Sequence, residues 1–321
     1  MTSIESTMSS FRTSNTLLKP YTILSKEPDW NTVETYAVLT IEIIPPMTMD
    51  DLFRPLCVGT GSGRMKIALC PFAKGSLRFA FYGQFASDEF DLMDVVFKEF
   101  CSSDLKLNHL QVYQEHLEIQ VIAQFLADRF NNELRRIFRR PLIVAYADAD
   151  LVQQKTDEFK IYQVEARMHQ TWHKWNNNSG GISLSEYSTI LQAFSHWTYH
   201  ITAGRLMVVD LQGVKGKGAY LLTDPAIHFD NILRFKNTRT NLGIKGMQQF
   251  FRTHVCSEVC SKLELSVPQT PLGSGSYSIN ESLEYFQALE SIDELNEKTA
   301  EFEPTILNGE DNLDLKTLEC P

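Results

Sequence analysis

A change of hydrophobic period near residue 110 constrains this 321-residue chain more than any single motif. Before it, apolar residues come in short runs that alternate or cluster as strands do. VETYAVLTIEII at 33–44 is one such run, and MDVVFKEF at 93–100 is another. Between them MKIALCPF (65–72) and SLRFAFYG (76–83), separated by AKG, predict a hairpin with a glycine-containing turn. From 113 to 138 the spacing becomes four: Leu117, Val121 and Phe125 form one row, and Ile122, Leu126, Phe130, Leu134 and Phe138 the next. That spacing predicts a long amphipathic helix with a broad apolar face, ended by Pro141. Afterwards strands and helices mix: LIVAYADA (142–149), IYQVEA (161–166), a helix around 183–199, the very apolar RLMVVDLQGV (205–214) and a last periodic segment over 246–265. Strands first and a mixture afterwards predict an α+β protein of two lobes meeting at a cleft.

The chain is 43% hydrophobic and 22% charged, which is enough apolar material for a sizeable core. Its longest apolar runs stop far short of the ~18 residues a membrane span requires. The opening MTSIESTMSSFRTSNT lacks the basic-then-apolar order of a secretory signal, so no membrane partner and a cytoplasmic location are expected. The net charge of −10 comes from the end of the chain: residues 281–321 hold 12 acidic and 2 basic residues, leaving 28 of each before them. A neutral body argues against nucleic acid as the main partner, because phosphate-backbone binding needs clustered Lys and Arg. Residues 1–30, rich in Ser and Thr and without periodicity, are expected to be loose. SVPQTPLGSGSYS (266–278) reads as a linker, followed by one further helix at 281–298 in an acidic tail. Oligomeric state is not legible.

Several short stretches bear polar groups suited to chemistry. GTGSG at 59–63 suggests a phosphate cradle, but no GK[ST] follows and no helix opens after it, so a flexible loop is expected. In AKGSLRFAFYG (73–83) a turn glycine could bring backbone N–H groups to a phosphate, with Arg78 supplying charge; a plain turn with a solvent-facing arginine is the alternative. Lys98 ends an apolar strand, where an unpaired ammonium is costly. It either pairs with phosphates and a carboxylate, as in phosphoryl transfer, or faces water from a sheet edge. HKWNNNSGG (173–181) offers Lys174 as a point charge and Asn176, Asn177 and Asn178 as turn formers; a plain turn leaves the flanking Trp172 and Trp175 unexplained. In MVVDLQGV…LTDP, Asp210 emerges at the end of an apolar strand, Gln212 lies on the same side of the chain, and Asp224 opens a turn before Pro225. Two carboxylates and an amide oxygen are hard ligands suited to Mg²⁺, and a carboxylate can also receive a hydroxyl's proton. The bland reading, three turn formers capping strands, fits each of them singly better than all three together.

HVCSEVC at 254–260 places Cys256 and Cys260 four apart, on one helical face. Cys and His suit tetrahedral Zn²⁺. His254 would be about 200° from Cys256 on a regular helix, so the helix must begin near Cys256 or the zinc reading fails. A fourth ligand must come from elsewhere, with His196 in AFSHWTYH a candidate. The bland alternative is buried free thiols, since cysteine often packs as a small hydrophobe. Four filled positions would leave no water site and so disfavour a zinc hydrolase.

In chain order PFAKGSLRFAFY, VVFKEF, ADRFN, YQVEA, KWNNNSG, AFSHWTY, VVDLQGV, LTDPAIH, NLGIKG and HVCSEVC together resemble the α-kinase family of atypical protein kinases, over roughly residues 70–265. The resemblance implies a two-lobed atypical protein-kinase-like fold. Its catalytic domain would span 31–265, with a β-rich N-lobe to about 165 and a zinc-stabilised α/β C-lobe from about 166, and a linker and acidic tail over 266–321. It implies ATP and Mg²⁺, a protein substrate with a Ser or Thr hydroxyl, and a structural Zn²⁺. By resemblance Arg78 and Lys98 would hold phosphates, Glu165 would sit against the adenine, and Lys174 and Asn178 would line the phosphate side. Asp210 would be the catalytic aspartate, Gln212 and Asp224 would hold Mg²⁺, and His196, His254, Cys256 and Cys260 would hold zinc. The sequence departs from the family pattern in the longer stretch GVKGKGAYLL between Asp210 and Asp224, in Thr240 before NLGIKG and in Gln170. No helix carboxylate for Lys98 stands out; Glu118 is a candidate. These departures motivate an alternative, a nucleotide-binding kinase-like scaffold without turnover.

Overall fold

The computed structural model describes residues 18–88, 90–104 and 108–266. Its first half runs β1 (Tyr36–Ile43), β2 (Val58–Ile67), β3 (Ala73–Lys74), β4 (Arg78–Ser87), β5 (Met93–Phe100), α1 (Leu110–Ile137), β6 (Ile143–Tyr146), β7 (Ala149–Gln154) and β8 (Asp157–Ala166). The seven-stranded sheet has the order β2-β1-β7-β8-β5-β4-β3 and is antiparallel throughout. Because β2 also pairs with β4, from Gly63↔Ser87 to Ile67↔Gly83, six of these strands close into a small barrel.

Strand alternation sorts the side chains. Val38, Met65, Phe79, Phe81, Val95, Phe97, Val152, Tyr162 and Val164 form one cluster, the barrel interior. Ile41, Ile43, Phe100, Leu151 and Ile161 point the other way and pack with Val112, Tyr113 and Leu117 of α1. Two glycines allow the closure: a Cβ on Gly63 would lie 2.5 Å from the Ala86 carbonyl oxygen, and one on Gly83 would lie 2.2 Å from the Phe97 ring. GTGSG therefore lies within β2 and not in the flexible loop expected for it, because its residues are paired with β1 from Glu42↔Gly59 to Val38↔Gly63.

Helix α1, 28 residues and so about 42 Å long, serves both halves of the molecule. Its first turns cover the barrel, while Ile119, Ile122, Leu126, Phe130 and Leu134 enter the largest core. That core also holds Phe194 and Trp197 of α2 (Thr189–Ile201) and Leu206 and Val208 of β10 (Leu206–Val209). A four-stranded sheet β6-β12-β11-β9 is made from β6, β9 (Trp172–Lys174), β11 (Gln212–Lys215) and β12 (Ala219–Thr223), and β10 pairs with β13 (Ala226–Phe229). Helices α3 (Gly243–Thr253) and α4 (Glu258–Lys262) follow.

Three expectations are revised. The run 205–214 is two strands, because Asp210 takes a left-handed conformation (φ 61°) between β10 and β11. The segment 246–265 is two helices, α3 ending at Thr253 and α4 starting at Glu258. Residues 18–30 are not loose: the Lys19 N–H donates to the Cys101 carbonyl (2.9 Å), the Leu24 N–H to that of Pro71 (2.8 Å), and the Tyr21 ring packs edge-on against Phe79 and Phe81, each at 5.2 Å. The chain beyond Ser266, with the linker, the helix expected at 281–298 and the acidic tail, lies outside the described residues. Among those residues no helix is long and apolar enough to cross a membrane.

Candidate active site

Arg78 on β4 and Lys98 on β5 point out of the barrel on the face opposite Phe79 and Phe97, as alternation requires. Facing them is the open end of the hairpin β11–β12, where Gln212 opposes Thr223 and where Asp210 and Asp224 flank the two strands. Both aspartates have positive φ, 61° and 53°, a conformation that short Asp side chains tolerate better than most.

The two sides meet through charges. Lys98 Nζ lies 2.9 Å from both Glu165 carboxylate oxygens, 2.9 Å from Asp224 Oδ2 and 3.1 Å from the Thr223 hydroxyl. The Thr223 hydroxyl donates to Glu165 Oε2 at 2.7 Å. Arg78 donates to Asp224 Oδ1 at 2.7 Å and to the Gln163 side-chain oxygen. Burial alone would raise the Asp224 pKa, but Arg78 and then Lys98 outweigh it and hold the carboxyl down to about 2. On the other side of the hairpin mouth, Lys174 Nζ lies 3.3 Å from Asp210 Oδ1, and the Gln212 amide donates to Asp210 Oδ2 (3.3 Å) and to the Asp224 carbonyl (3.2 Å).

The long stretch GVKGKGAYLL does not displace these residues. It forms the β11–β12 hairpin itself, with its turn at the far end, where the Gly216 N–H donates to the Ala219 carbonyl. Arg78, one of whose alternatives was a solvent-facing arginine, is largely buried, and its charge is directed at Asp224. Glu165, expected against an adenine, presents its carboxylate to Lys98 and Thr223. Glu118 is not the partner of Lys98: it is held by Arg234 (2.6 Å) and by the Leu56 N–H (2.7 Å). Asn178 lies off this network. Its carbonyl accepts from His228 Nε2 (2.7 Å), while His228 Nδ1 accepts the Leu242 N–H, which fixes the imidazole tautomer.

Three polar residues of the network, Gln120, Gln163 and Thr223, escaped sequence reasoning, and a fourth, Asn176, was read only as a turn former. Gln120 of α1 accepts the Asp224 N–H and a Gln163 N–H, both at 3.3 Å, and Gln163 also donates to Glu165 Oε1 at 2.7 Å. Thr223 bridges Lys98 and Glu165, and Asn176 accepts the Leu211 N–H next to Asp210 (2.8 Å). All four are buried. The available signal was a polar residue inside an apolar strand or helix face, which must be satisfied once buried.

A second cluster lies between α2 and the α3–α4 junction. His196 Nδ1 and His254 Nε2 are 3.0 Å apart, Cys256 Sγ is 3.8 and 3.7 Å from them, and Cys260 Sγ is 3.6 Å from His254 Nε2. The four ligand atoms lie within 4.8 Å of one another. The α3–α4 break resolves the angular difficulty of the His-x-Cys spacing, since His254 and Cys256 precede α4 and are not bound to helical geometry. A tetrahedral zinc site has ligand–ligand edges of about 3.4–3.8 Å; the sulfur–nitrogen separations of 3.6–3.8 Å match them, the two imidazole nitrogens stand closer at 3.0 Å, and two Cys with two His are a donor set that zinc takes.

A closed β barrel and an α/β half, meeting at a buried lysine held between carboxylates, define an α+β, kinase-like protein. A family model described as the Alpha-kinase family matches residues 73–260, and the chain belongs to that family. Over 205 residues it is 38% identical to the alpha-protein kinase vwkA of Dictyostelium discoideum, covering 64% of this chain and 32% of that protein. A solved alpha kinase from Entamoeba histolytica superposes with a TM-score of 0.63 at 27% identity, over 74% of this chain and 93% of that one. The alpha-kinase domain of myosin heavy chain kinase A in complex with ADP gives a TM-score of 0.60 at 23% identity, over 74% and 99% of the two chains. The chain spans about a third or less of the length of the curated relatives it matches first.

Proposed function

We propose that this protein is an ATP-dependent protein kinase that transfers the γ-phosphate of ATP to Ser or Thr hydroxyls of a protein substrate. The observation that carries the reading is the convergence of Arg78 and Lys98, from the paired strands β4 and β5, with Asp224, far along the chain at the end of β12, on one largely buried polar site. Family membership supports it, and so does the ADP held by the similar domain of myosin heavy chain kinase A. Catalysis is positioning and charge neutralisation. Arg78 and Lys98 receive phosphate oxygens, with Lys174 on the opposite wall; Asn178 borders that wall through its loop. Glu165 fixes the Lys98 ammonium at the end of β8, beside the expected adenine position. Asp210, steered by Lys174 and Gln212, orients the substrate hydroxyl and takes its proton as oxygen attacks the γ-phosphorus and ADP departs. The Asp224 carboxylate and the Gln212 amide oxygen are hard donors on neighbouring strands and suit Mg²⁺, which supplies further neutralisation of phosphate charge when bound. His196, His254, Cys256 and Cys260 hold a structural zinc that ties α2 to the α3–α4 junction. The catalytic domain runs over about 31–265 and works in the cytoplasm.

Labelled ATP incubated with the purified chain and a cell extract tests the reading, with Asp210→Ala as control. Transfer to protein by the wild type alone supports it. Nucleotide binding without transfer to any protein would select the scaffold reading.

A further inference from the structure

We propose that residues 18–30 are a strap that sets nucleotide affinity by holding Glu99, and with it the strand that bears Lys98. The inference rests on the nucleotide reading of the site above. The strap lies outside the stretch 73–260 matched by the family model.

Glu99 is the reason the strap matters. It follows Lys98 on β5 and points to the opposite face, opposing Phe79 at one end of the barrel interior. It is 1% exposed. Among the described residues its carboxylate has two partners, Lys19 Nζ at 2.8 Å and the Tyr21 hydroxyl at 3.0 Å, and both belong to the strap. Between them the Tyr21 ring closes the barrel end over Phe79 and Phe81. A carboxylate buried this deeply is tolerated only when paired. With the strap removed, Glu99 must reach water, and the strand that turns it outward carries Lys98 on its other face. Farther along, the strap is fastened twice more: Glu27 pairs with Arg167 at 2.5 Å, two residues after Glu165, and Lys66 Nζ donates to the Trp30 carbonyl at 2.6 Å. The strap thus touches the strand of Lys98 and the end of the strand of Glu165 without entering the cleft. Lys19, Tyr21 and Glu99 are positioning residues.

The test is titration of the full chain with a fluorescent ADP analogue, alongside melting temperature and turnover at saturating ATP. Tyr21→Ala should weaken nucleotide binding roughly tenfold, the worth of one hydrogen bond to a charged group, with saturating turnover little changed. Adding Glu99→Gln to Tyr21→Ala should restore most of the affinity, because the unpaired charge is then gone. Lys19→Met should weaken binding in the same direction. Wild-type affinity in Tyr21→Ala and Lys19→Met, even with a lower melting temperature, overturns the strap and leaves the nucleotide site standing. No binding by the wild type itself overturns both. Should Tyr21→Ala not fold, Tyr21→Phe keeps the ring and loses only the hydrogen bond; it should bind more weakly at near wild-type melting temperature, and unchanged affinity overturns the inference.

Discussion

Lys98 and Asp224 stand 126 positions apart in the chain, yet their charged groups meet at 2.9 Å across the junction of the barrel and the second sheet. The contact joins two halves that are otherwise bridged mainly by α1. Lys98→Met should lower transfer activity by roughly 10²–10³-fold through lost charge stabilisation. It should also destabilise the protein by about 3 kcal/mol, since Glu165 is left buried without its cation. Adding Glu165→Gln should restore stability and not activity. A wild-type melting temperature in Lys98→Met alone would show that the buried pair is not what holds these strands together.

Asp210→Ala should keep the fold, because the partners Lys174 and Gln212 are partly exposed, with a modest loss of stability since alanine tolerates the φ of 61° less well than aspartate does. Loss of a general base costs about 10²–10⁴-fold in rate. Radiolabel transfer within about tenfold of wild type, only half of the lower bound on a logarithmic scale, would remove Asp210 from the proton-accepting role.

Cys260→Ser should lower zinc content and melting temperature together, since the energy of a structural zinc is folding energy. Metal analysis of purified protein is the first check. A zinc-free wild type with an unchanged melting temperature after chelation would end the assignment.

Stability should fall as the pH drops below about 6.5, through two buried histidines. Burial is the main cause in both: His116 is lowered to about 3, with Arg78 adding to the effect, and His228 to about 4, with its bond to the Asn178 carbonyl opposing. The unfolded chain then binds protons that the folded one refuses, so each histidine contributes a loss of about 1.4 kcal/mol per pH unit between 6.5 and its folded value. Asp224 is displaced in the same direction but from a lower starting value: its stabilisation is full above about pH 4 and is lost only as the pH falls toward 2. Denaturant midpoints from pH 7 to 4.5 measure the slope, and His228→Asn should flatten it. A flat wild-type profile would contradict the neutral burial of both rings.

Much of the fold was legible because its signals are local. The β5 run was read at its observed bounds, and the four-residue spacing of α1 survives burial on both halves of the molecule. Asp210, Gln212 and Asp224 stood out because oxygen donors at strand ends violate no local rule yet cluster tightly. GTGSG misled because glycine has two uses that look alike in a sequence, freedom in loops and thinness between packed strands, and here the second applies at Gly63. The partner of Lys98 was missed because Glu165 lies on a neighbouring strand rather than on the helix where a carboxylate was sought.

The sequence by itself determined the long helix α1, the strands β1 and β5, and which residue types could do phosphate and metal chemistry, since these depend on neighbours a few positions away. Only the tertiary structure decided that β2 closes the sheet onto β4, that Glu99 needs Lys19 and Tyr21, and that Gln120 and Gln163 complete the lysine site. Each is a pairing across many residues, and a buried charge or amide takes whichever partner the packing brings within hydrogen-bond reach.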